Sequence, residues 1–399
     1  MNRCIQQSKL QGTVLVPSSK SFAHRQLIAA ALSDKPTQII VNTLSEDIFA
    51  TMDCVLSLGA DITKTEEGIL CIEPAAAMPK KAHFSCKESG STLRFMLPVA
   101  AALGIDATFT GAGRLPERPN AVLTEALRQH NVQADRDFLP LHLSGKLTGG
   151  LYEIAGNISS QYITGLLLAL PLCQQDSRIR FTTPVESADY IEITLQVLSQ
   201  FGIKVEKEED GYSIPGNQAY RTPGVIITEG DWSSAVFWHC ANQMGSRIQI
   251  DGLNPASCQG DRRIVDQLLH LGGVIDVSQT PDSLPALAVA ACMHPGTTHF
   301  VGAGRLRIKE SNRLSAITFL LRELGQDVTE EPDGLIVRGG TPFTAGTVDG
   351  CNDHRIVMAA AIAACFAKEP VTILGTQAVN KSYPRFFDDL ISLGGKIHG

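Results

Sequence analysis

Six times along the chain an apolar helix tail ends in Leu-x-x-Leu-Gly or a near variant, and a β-branched strand start follows within a few residues. The copies are Leu56–Gly59, Leu127–Asn131, Leu198–Gly202, Leu268–Gly272, Leu321–Gly325 and Leu390–Gly394. Gly or Asn is what a helix needs at a left-handed C-terminal cap, so each copy reads as a helix stop and a turn into a strand. The caps fall 72, 71, 70, 53 and 69 residues apart. A period that long is one complete α/β unit used six times.

The units also begin alike, with small polar residues ahead of an apolar helix. In order these are Ser18-Ser19-Lys20-Ser21, Glu88-Ser89-Gly90-Ser91, Ser159-Ser160-Gln161, Asp231-Trp232-Ser233-Ser234, Asp282-Ser283 and Asn352-Asp353-His354. Ser, Asp and Asn cap helix N-termini, where free backbone N–H groups carry the positive end of the helix dipole. Six such ends are six potential anion seats.

A chain of 399 residues exceeds one ordinary core, so two domains of about 200 residues, three repeats in each, are expected. The boundary is placed near Gly224 to Asp231, where Val225-Ile226-Ile227 reads as the last strand of the third unit. The strand region at residues 5–16 precedes any helix and is expected to pair with the second half. That gives a discontinuous domain of residues 1–16 and 229–399 around an inserted domain of residues 17–228. The first helix, Phe22 to Leu32, carries Leu27, Ile28 and Ala31 on one face and reads as half buried. The segments Leu93–Leu103 and Ile163–Leu172 are apolar almost all round and read as interior helices. Unit four is taken as the short one.

Apolar residues make up 44% of the chain and charged residues 19%, enough to fill substantial cores. A net charge of −7 argues against nucleic acid or an acidic membrane surface as the main partner. Ten cysteines occur without a C-x-x-C pair, which favours idle cytosolic thiols over zinc or disulfide exchange. No apolar run reaches the roughly 18 residues a membrane span needs, and a cytoplasmic protein is expected. Phosphate-loop, dinucleotide, nucleophile-elbow and zinc-protease motifs are all missing. His354 and Asp353 lack a further metal ligand at suitable spacing.

Cations gather where the units begin. Lys20 and Arg25 flank the first helix start, and Arg118 lies in the loop Gly113–Pro119. Lys309 and Arg313 fall at i,i+4 on a helix expected to begin there; Arg355 follows Asn352-Asp353-His354, and Lys381 follows Asn380. A solvated surface charge is the ordinary reading of any one of them. A helix N-terminus disfavours a cation, however, and a bound anion would offset that cost. Two acids interrupt the pattern. Asp282 reads either as a helix cap or as a functional acid, and Glu310 either as a local ion partner or as a general acid–base with a tuned pKa.

Nine segments, in order and over nearly the whole chain, resemble the enolpyruvyl transferases, in the branch acting on shikimate 3-phosphate. They are Pro17-Ser18-Ser19-Lys20-Ser21 with Arg25, Ser89-Gly90-Ser91 with Arg94, Glu117-Arg118-Pro119, Ser159-Ser160-Gln161, and Glu186-Ser187 with Tyr190. The rest are Gly230–Ala235, Lys309–Arg313, Asn352–Arg355 and Lys381. The resemblance implies an α/β (α+β) fold, a two-domain inside-out α/β barrel of six βαβαββ repeats with the active site in the interdomain cleft. It implies transfer of the enolpyruvyl group of phosphoenolpyruvate to the 5-hydroxyl of shikimate 3-phosphate, with release of phosphate, in chorismate and aromatic amino-acid biosynthesis. Shikimate 3-phosphate would be held by Lys20, Ser21, Arg25, Ser159, Ser160, Gln161, Ser187, Asp282 and Lys309. Phosphoenolpyruvate would be held by Lys20, Gly90, Arg118, Gln161, Arg313, Arg355 and Lys381. Asp282 would be the base for the hydroxyl, Lys20 its electrostatic partner or proton carrier, and Glu310 the group exchanging a proton at the methylene carbon. No cofactor, metal, nucleic acid or membrane is implied. Glyphosate would be an inhibitor crowding Gly90, and a monomer is expected.

Seven cations and two acids give this residue set a charge of +5, against roughly −5 to −6 for two ligands each bearing a phosphate and a carboxylate. An open empty protein that closes on its ligands is therefore expected. Glu88 and Arg305 stand where the family commonly has Asn, and both are left out of the site. The sister transferase acting on UDP-N-acetylglucosamine generally carries a Cys in the loop matching Gly111–Pro119, which has none here. That transferase and a non-catalytic anion-binding relative are the alternative readings.

Overall fold

The computed structural model describes residues 1–65 and 68–399, and in it all six cap positions have left-handed backbone. The φ values are +89° at Gly59, +66° at Asn131, +75° at Gly202, +85° at Gly272, +81° at Gly325 and +98° at Gly394. At three of them the chain closes the helix with a 6→1 bond: Ile203 N to Leu198 O, Gln326 N to Leu321 O, and Gly395 N to Leu390 O. These bonds satisfy carbonyls that the helix itself leaves open.

The chain divides into two units, Ser18–Thr228 and Met1–Pro17 with Glu229–Gly399. In the first, helices α1 (Lys20–Ala31), α2 (Glu46–Ser57), α3 (Gly90–Leu103), α4 (Ala121–Arg128), α5 (Ser160–Ala169) and α6 (Ala188–Gln200) alternate with three four-stranded mixed sheets. The second repeat shows the pattern. Strand Lys81–Ser85 pairs in parallel with Asp106–Thr110 across α3, and a hairpin of Val132–Ala134 and Leu141–Gly145 adds antiparallel after α4. The third repeat has the same order.

Strand Val225–Ile227 belongs elsewhere than expected. It pairs in parallel with Thr37–Ile40, Ile226 opposite Ile39, and so completes the first repeat rather than ending the third. The first repeat needs it because the strand ahead of α1 has left for the other unit. Residues 5–16 are likewise two strands and not one. Asn2–Gln6 lies between Val371–Leu374 and Lys396–His398, antiparallel to both, and Gln11–Leu15 pairs in parallel with Arg247–Asp251.

The second unit carries α7 (Trp232–Gln243), α8 (Ile264–Gln267), α9 (Leu284–Met293), α10 (Arg313–Glu323), α11 (His354–Phe366) and α12 (Phe386–Ser392). Its first repeat has a two-stranded sheet and no closing hairpin. The chain runs from α8 through the Gly272 cap straight into strand Val274–Asp276, which explains the short spacing to the next cap.

The helix that opens each complete repeat is wrapped by its neighbours. In α9 every residue but Met293 is buried, and in α11 every residue but Phe366. Emptying one such site, as Leu287→Ala would, costs about 2–5 kcal/mol. Helix α1 was expected to be half buried, yet every residue from Phe22 to Ala31 is buried. Its polar residues tolerate this because each has a partner. His24 Nδ1 lies 2.6 Å from Thr51 Oγ1, Arg25 Nε donates to Thr194 Oγ1 at 2.7 Å, and Gln26 Oε1 accepts from the Thr228 hydroxyl at 2.6 Å. No helix among the described residues is long and apolar enough to cross a membrane.

Candidate functional site

In the unit Ser18–Thr228 the expected residues sit at the starts of α1, α3, α5 and α6, with Arg118 just after the 3-10 turn Leu115–Glu117. Lys20 opens α1 and reaches Asp47 Oδ2 at 2.7 Å. Arg25 lies one turn on, 2% exposed, and is wired to three helices: Nη1 donates to Ser21 O at 2.6 Å, and Nη2 to Thr164 Oγ1 at 3.2 Å and Tyr190 O at 3.0 Å. Ser159 caps α5 by accepting from Gln161 N, and Ser160 is buried beside it. The Gln161 side chain bridges back to α3, accepting from Arg94 Nη1 at 2.5 Å and donating to Ser91 Oγ at 2.9 Å. Ser187 precedes α6 with φ +55°, a backbone state that non-glycine residues seldom adopt.

Gly90 is the first residue of α3, and the buried Arg118 guanidinium lies directly against it. A Cβ at Gly90 would come within 2.7 Å of Arg118 Nη1 and 3.0 Å of Cζ. Glycine is what allows this arginine to approach the positive end of α3 so closely.

The other unit gathers a dense ion cluster. Asp282 Oδ1 accepts from Arg313 Nη1 at 2.8 Å and lies 3.8 Å from Lys309 Nζ; Oδ2 accepts from Arg355 Nη2 at 3.4 Å. Arg313, 1% exposed, spends its remaining donors on Asp353 Oδ2 at 2.8 Å and Glu310 Oε2 at 2.7 Å. Asp353 also caps α11 through Arg355 N at 2.9 Å and accepts from Ser311 Oγ at 2.9 Å. Lys381 Nζ donates to Asn352 O at 2.6 Å, where Cys351 and Asn352 both have left-handed backbone.

The surroundings of the two acids that carry alternative readings are as follows. Asp282 is not a helix cap; it lies in a 3-10 turn, Pro281–Ser283, ahead of α9, with its carboxylate turned to cations. Glu310 is an ion partner of Arg313. Lys309, in contrast, is not on a helix with Arg313. Asn312 caps α10, accepting from Ser315 N, so the helix starts at Arg313 and Lys309 ends the preceding turn Gly304–Ile308.

The electrostatics follow from these contacts. Burial works to raise the Asp282 pKa, but Lys309, Arg313 and Arg355 outweigh it and hold the carboxyl well below the usual range. Burial pushes Lys309 down to about 8 despite Asp282 beside it. Arg313 is held charged by Asp353, Glu310 and Asp282 against its burial. Asp261, buried and close to Asp282, is pushed up by burial first and by that like charge second.

Sequence reasoning missed Asp47 and the ion-pair role of Asp353, and counting both lowers the charge of the residue set from +5 to +3. Lys309, Arg313 and Arg355 in particular are matched by Asp282, Glu310 and Asp353, so repulsion among unpaired cations is a weaker force than expected. Asp353 was legible only as a cap, since nothing in its spacing announces Arg313 forty residues upstream. Arg94, which positions Gln161, stood in a recognisable segment without an evident task. Arg305, set aside earlier, donates to Ser278 O at 2.7 Å.

The sequence profile of the EPSP synthase (3-phosphoshikimate 1-carboxyvinyltransferase) family matches residues 5–275 and 271–390. The chain is 42% identical to the 3-phosphoshikimate 1-carboxyvinyltransferase of Clostridium kluyveri, covering 98% of this chain and 97% of that one. It is 39% identical to the protein of the same name from Clostridium acetobutylicum, covering 98% and 96%. Among solved structures it superposes on the EPSP synthase of Acinetobacter baumannii with a TM-score of 0.83 at 23% identity over the full length of both chains. The enolpyruvyl transferase NikO of Streptomyces tendae matches with a TM-score of 0.78 at 16% identity, over 100% of this chain and 98% of that one; both likenesses speak to fold.

Proposed function

The chain belongs to the EPSP synthase family, the 3-phosphoshikimate 1-carboxyvinyltransferases, and from that premise we propose how its residues divide the work. The reaction moves the enolpyruvyl group of phosphoenolpyruvate onto the 5-hydroxyl of shikimate 3-phosphate and releases phosphate. Protonation at the methylene carbon creates positive character at C2, the hydroxyl attacks there, and loss of phosphate with return of the proton restores the enol ether. The chain must therefore hold two multiply charged anions, deprotonate one hydroxyl, and lend and retrieve one proton.

We assign shikimate 3-phosphate to Lys20, Ser21, Arg25, Ser159, Ser160, Gln161, Ser187, Asp282 and Lys309. Phosphoenolpyruvate goes to Lys20, Gly90, Arg118, Gln161, Arg313, Arg355 and Lys381. Residues of both units thus serve one pair of ligands, and closure of the units around them accompanies binding. Asp282 takes the hydroxyl proton, with Lys20 as its electrostatic partner, and Glu310 exchanges the proton at the methylene carbon. The observation that carries this reading is the trio of cations on Asp282, from Arg313 at 2.8 Å to Lys309 at 3.8 Å. A carboxylate so paired is a weak base. When the phosphate or carboxylate of phosphoenolpyruvate draws on Arg313 and Arg355, the field on Asp282 relaxes and its basicity rises. The base is thus strengthened by the arrival of the second substrate. Glyphosate, an anion of similar size, competes at Gly90 and Arg118; the protein acts as a monomer in the cytoplasm.

The test is phosphate release by the purified chain, with both substrates and with each omitted. Release only with the pair supports the reading. Release with UDP-N-acetylglucosamine in place of shikimate 3-phosphate would point to the sister activity, and none under any condition to an anion-binding protein. Asp282→Asn, which keeps shape and removes the charge, should abolish turnover; full turnover in that variant defeats the assignment of the base.

A further inference from the structure

Asp261 closes a ring of contacts around Asp282 that no step of the reaction as described requires. Its Oδ1 accepts from Ser283 Oγ at 2.8 Å, and its Oδ2 accepts a short bond from Ser233 Oγ. Ser283 follows Asp282 in the same 3-10 turn. Ser233 stands in the first turn of α7, and its carbonyl accepts from Arg355 Nη1. Arg355 Nη2 then returns to Asp282 Oδ2 at 3.4 Å. Three elements distant in sequence are locked together: the turn carrying Asp282, the start of α7 and the start of α11. Asp261 and Ser283 are 3% and 0% exposed. A carboxylate so deep beside another carboxylate is costly, and a well-packed neutral residue would usually be at least as stable. What the charge contributes instead is two strong acceptor oxygens, one for each arm of the clamp.

We propose that Asp261 is a positioning residue of the transferase reaction, fixing the Asp282 carboxylate relative to Arg355 through the Ser283 and Ser233 hydroxyls. This rests on the reading of Asp282 as the base. Asp261 has a second effect through space, since its charge faces Asp282 and Arg355. A neighbouring negative charge favours the protonated form of Asp282, while Lys309, Arg313 and Arg355 favour the ionised form and Glu310 opposes them. The clamp therefore holds the base in place, and as pH falls Asp261, pushed up, takes a proton before Asp282, held low, so Asp261 is the first of the pair to titrate.

Steady-state kinetics of the full chain carrying Asp261→Asn, Ser283→Ala or Asp282→Asn tests this, with kcat, both KM values and the acid limb of the kcat profile measured. The proposal expects Asp261→Asn to lose at least tenfold in kcat with both KM values within threefold, and its acid limb to move to lower pH. Ser283→Ala should lose kcat in the same direction without that shift to lower pH, because Asp261 itself remains and loses a hydrogen bond that favours its ionised form. Wild-type kcat and an unmoved limb in Asp261→Asn would overturn the proposal, as would parallel changes in kcat and KM that track a lowered melting temperature. If Asp261→Asn does not fold, Ser283→Ala decides alone, and an unchanged kcat there defeats the clamp. An active Asp282→Asn overturns the base assignment, whereas an inactive Asp282→Asn beside a normal Asp261→Asn overturns only the clamp.

Discussion

Arg118 and Gly90 show how little room a single position can leave. A methyl group at Gly90 would fall 2.7 Å from the Arg118 guanidinium, so the arginine would have to swing away. Its flexible stem makes that cheap for folding. Gly90→Ala is accordingly expected to raise the KM for phosphoenolpyruvate about tenfold, roughly 1.4 kcal/mol, with the melting temperature unchanged; an unaltered KM would show that Arg118 does not bind that substrate. Lys309 permits a test in the ligand-free protein. Its pKa, pushed down to about 8 in the folded state, lies below the unfolded value of about 10.4. From pH 8 to 10.4 the unfolded chain therefore binds more protons, and stability from this group rises with pH. An arriving phosphate raises the same pKa, so shikimate 3-phosphate should bind with proton uptake at pH 8. Titration calorimetry in buffers of different ionisation enthalpy would detect this, and Lys309→Met should abolish it. The cations were legible in sequence because they crowd helix starts. Asp47 and Asp261 were not, since a carboxylate that meets its partner only through the fold leaves no local pattern.

At the scale of elements, the caps were readable because each is a short-range device, a Gly or Asn at the one backbone state that stops a helix. The burial of α1 was hidden for the opposite reason. His24, Arg25 and Gln26 look like a solvent face until their partners arrive from α2, α5, α6 and Thr228. One buried chain of hydroxyls links α1 to the start of α3. His24 Nδ1 meets Thr51 Oγ1 at 2.6 Å, Thr51 meets Thr92 Oγ1 at 2.7 Å, and Thr92 donates to Ser89 Oγ at 2.8 Å. Since Thr92 donates onward, Thr51 donates to Thr92 and accepts from a His24 protonated at Nδ1. Burial, with Lys20 and Arg25 nearby, holds the His24 pKa well below its ordinary value, so this neutral tautomer persists at neutral pH. Thr51→Val keeps the shape and cuts the chain in the middle, leaving a buried donor and a buried acceptor unmatched. A loss of about 1–3 kcal/mol is expected in denaturant unfolding, whereas a neutral result would mean the neighbours rearrange to satisfy one another.

For the molecule as a whole, six repeats could be counted from their caps, but the assignment of strands to sheets could not. Val225–Ile227 follows the third repeat in sequence and completes the first in space, because pairing is decided by which sheet lacks a strand and not by proximity along the chain. Two fragments would test the division. Residues 18–228 hold every strand of their three sheets and should unfold cooperatively when expressed alone. Residues 229–399 lack Asn2–Gln6 and Gln11–Leu15, which leaves one sheet split and a lone strand at Arg247–Asp251. They should show no sigmoidal thermal transition until residues 1–17 are joined on, and a cooperative melt without that segment would contradict the role given to these strands. The same arrangement sets an order of events on the ribosome, where domains form as they emerge. Asn2–Gln6 leaves long before its two neighbours, Val371–Leu374 and Lys396–His398. The nascent chain must carry that strand unpaired while the residues between are made, so a strand made early finds its place late.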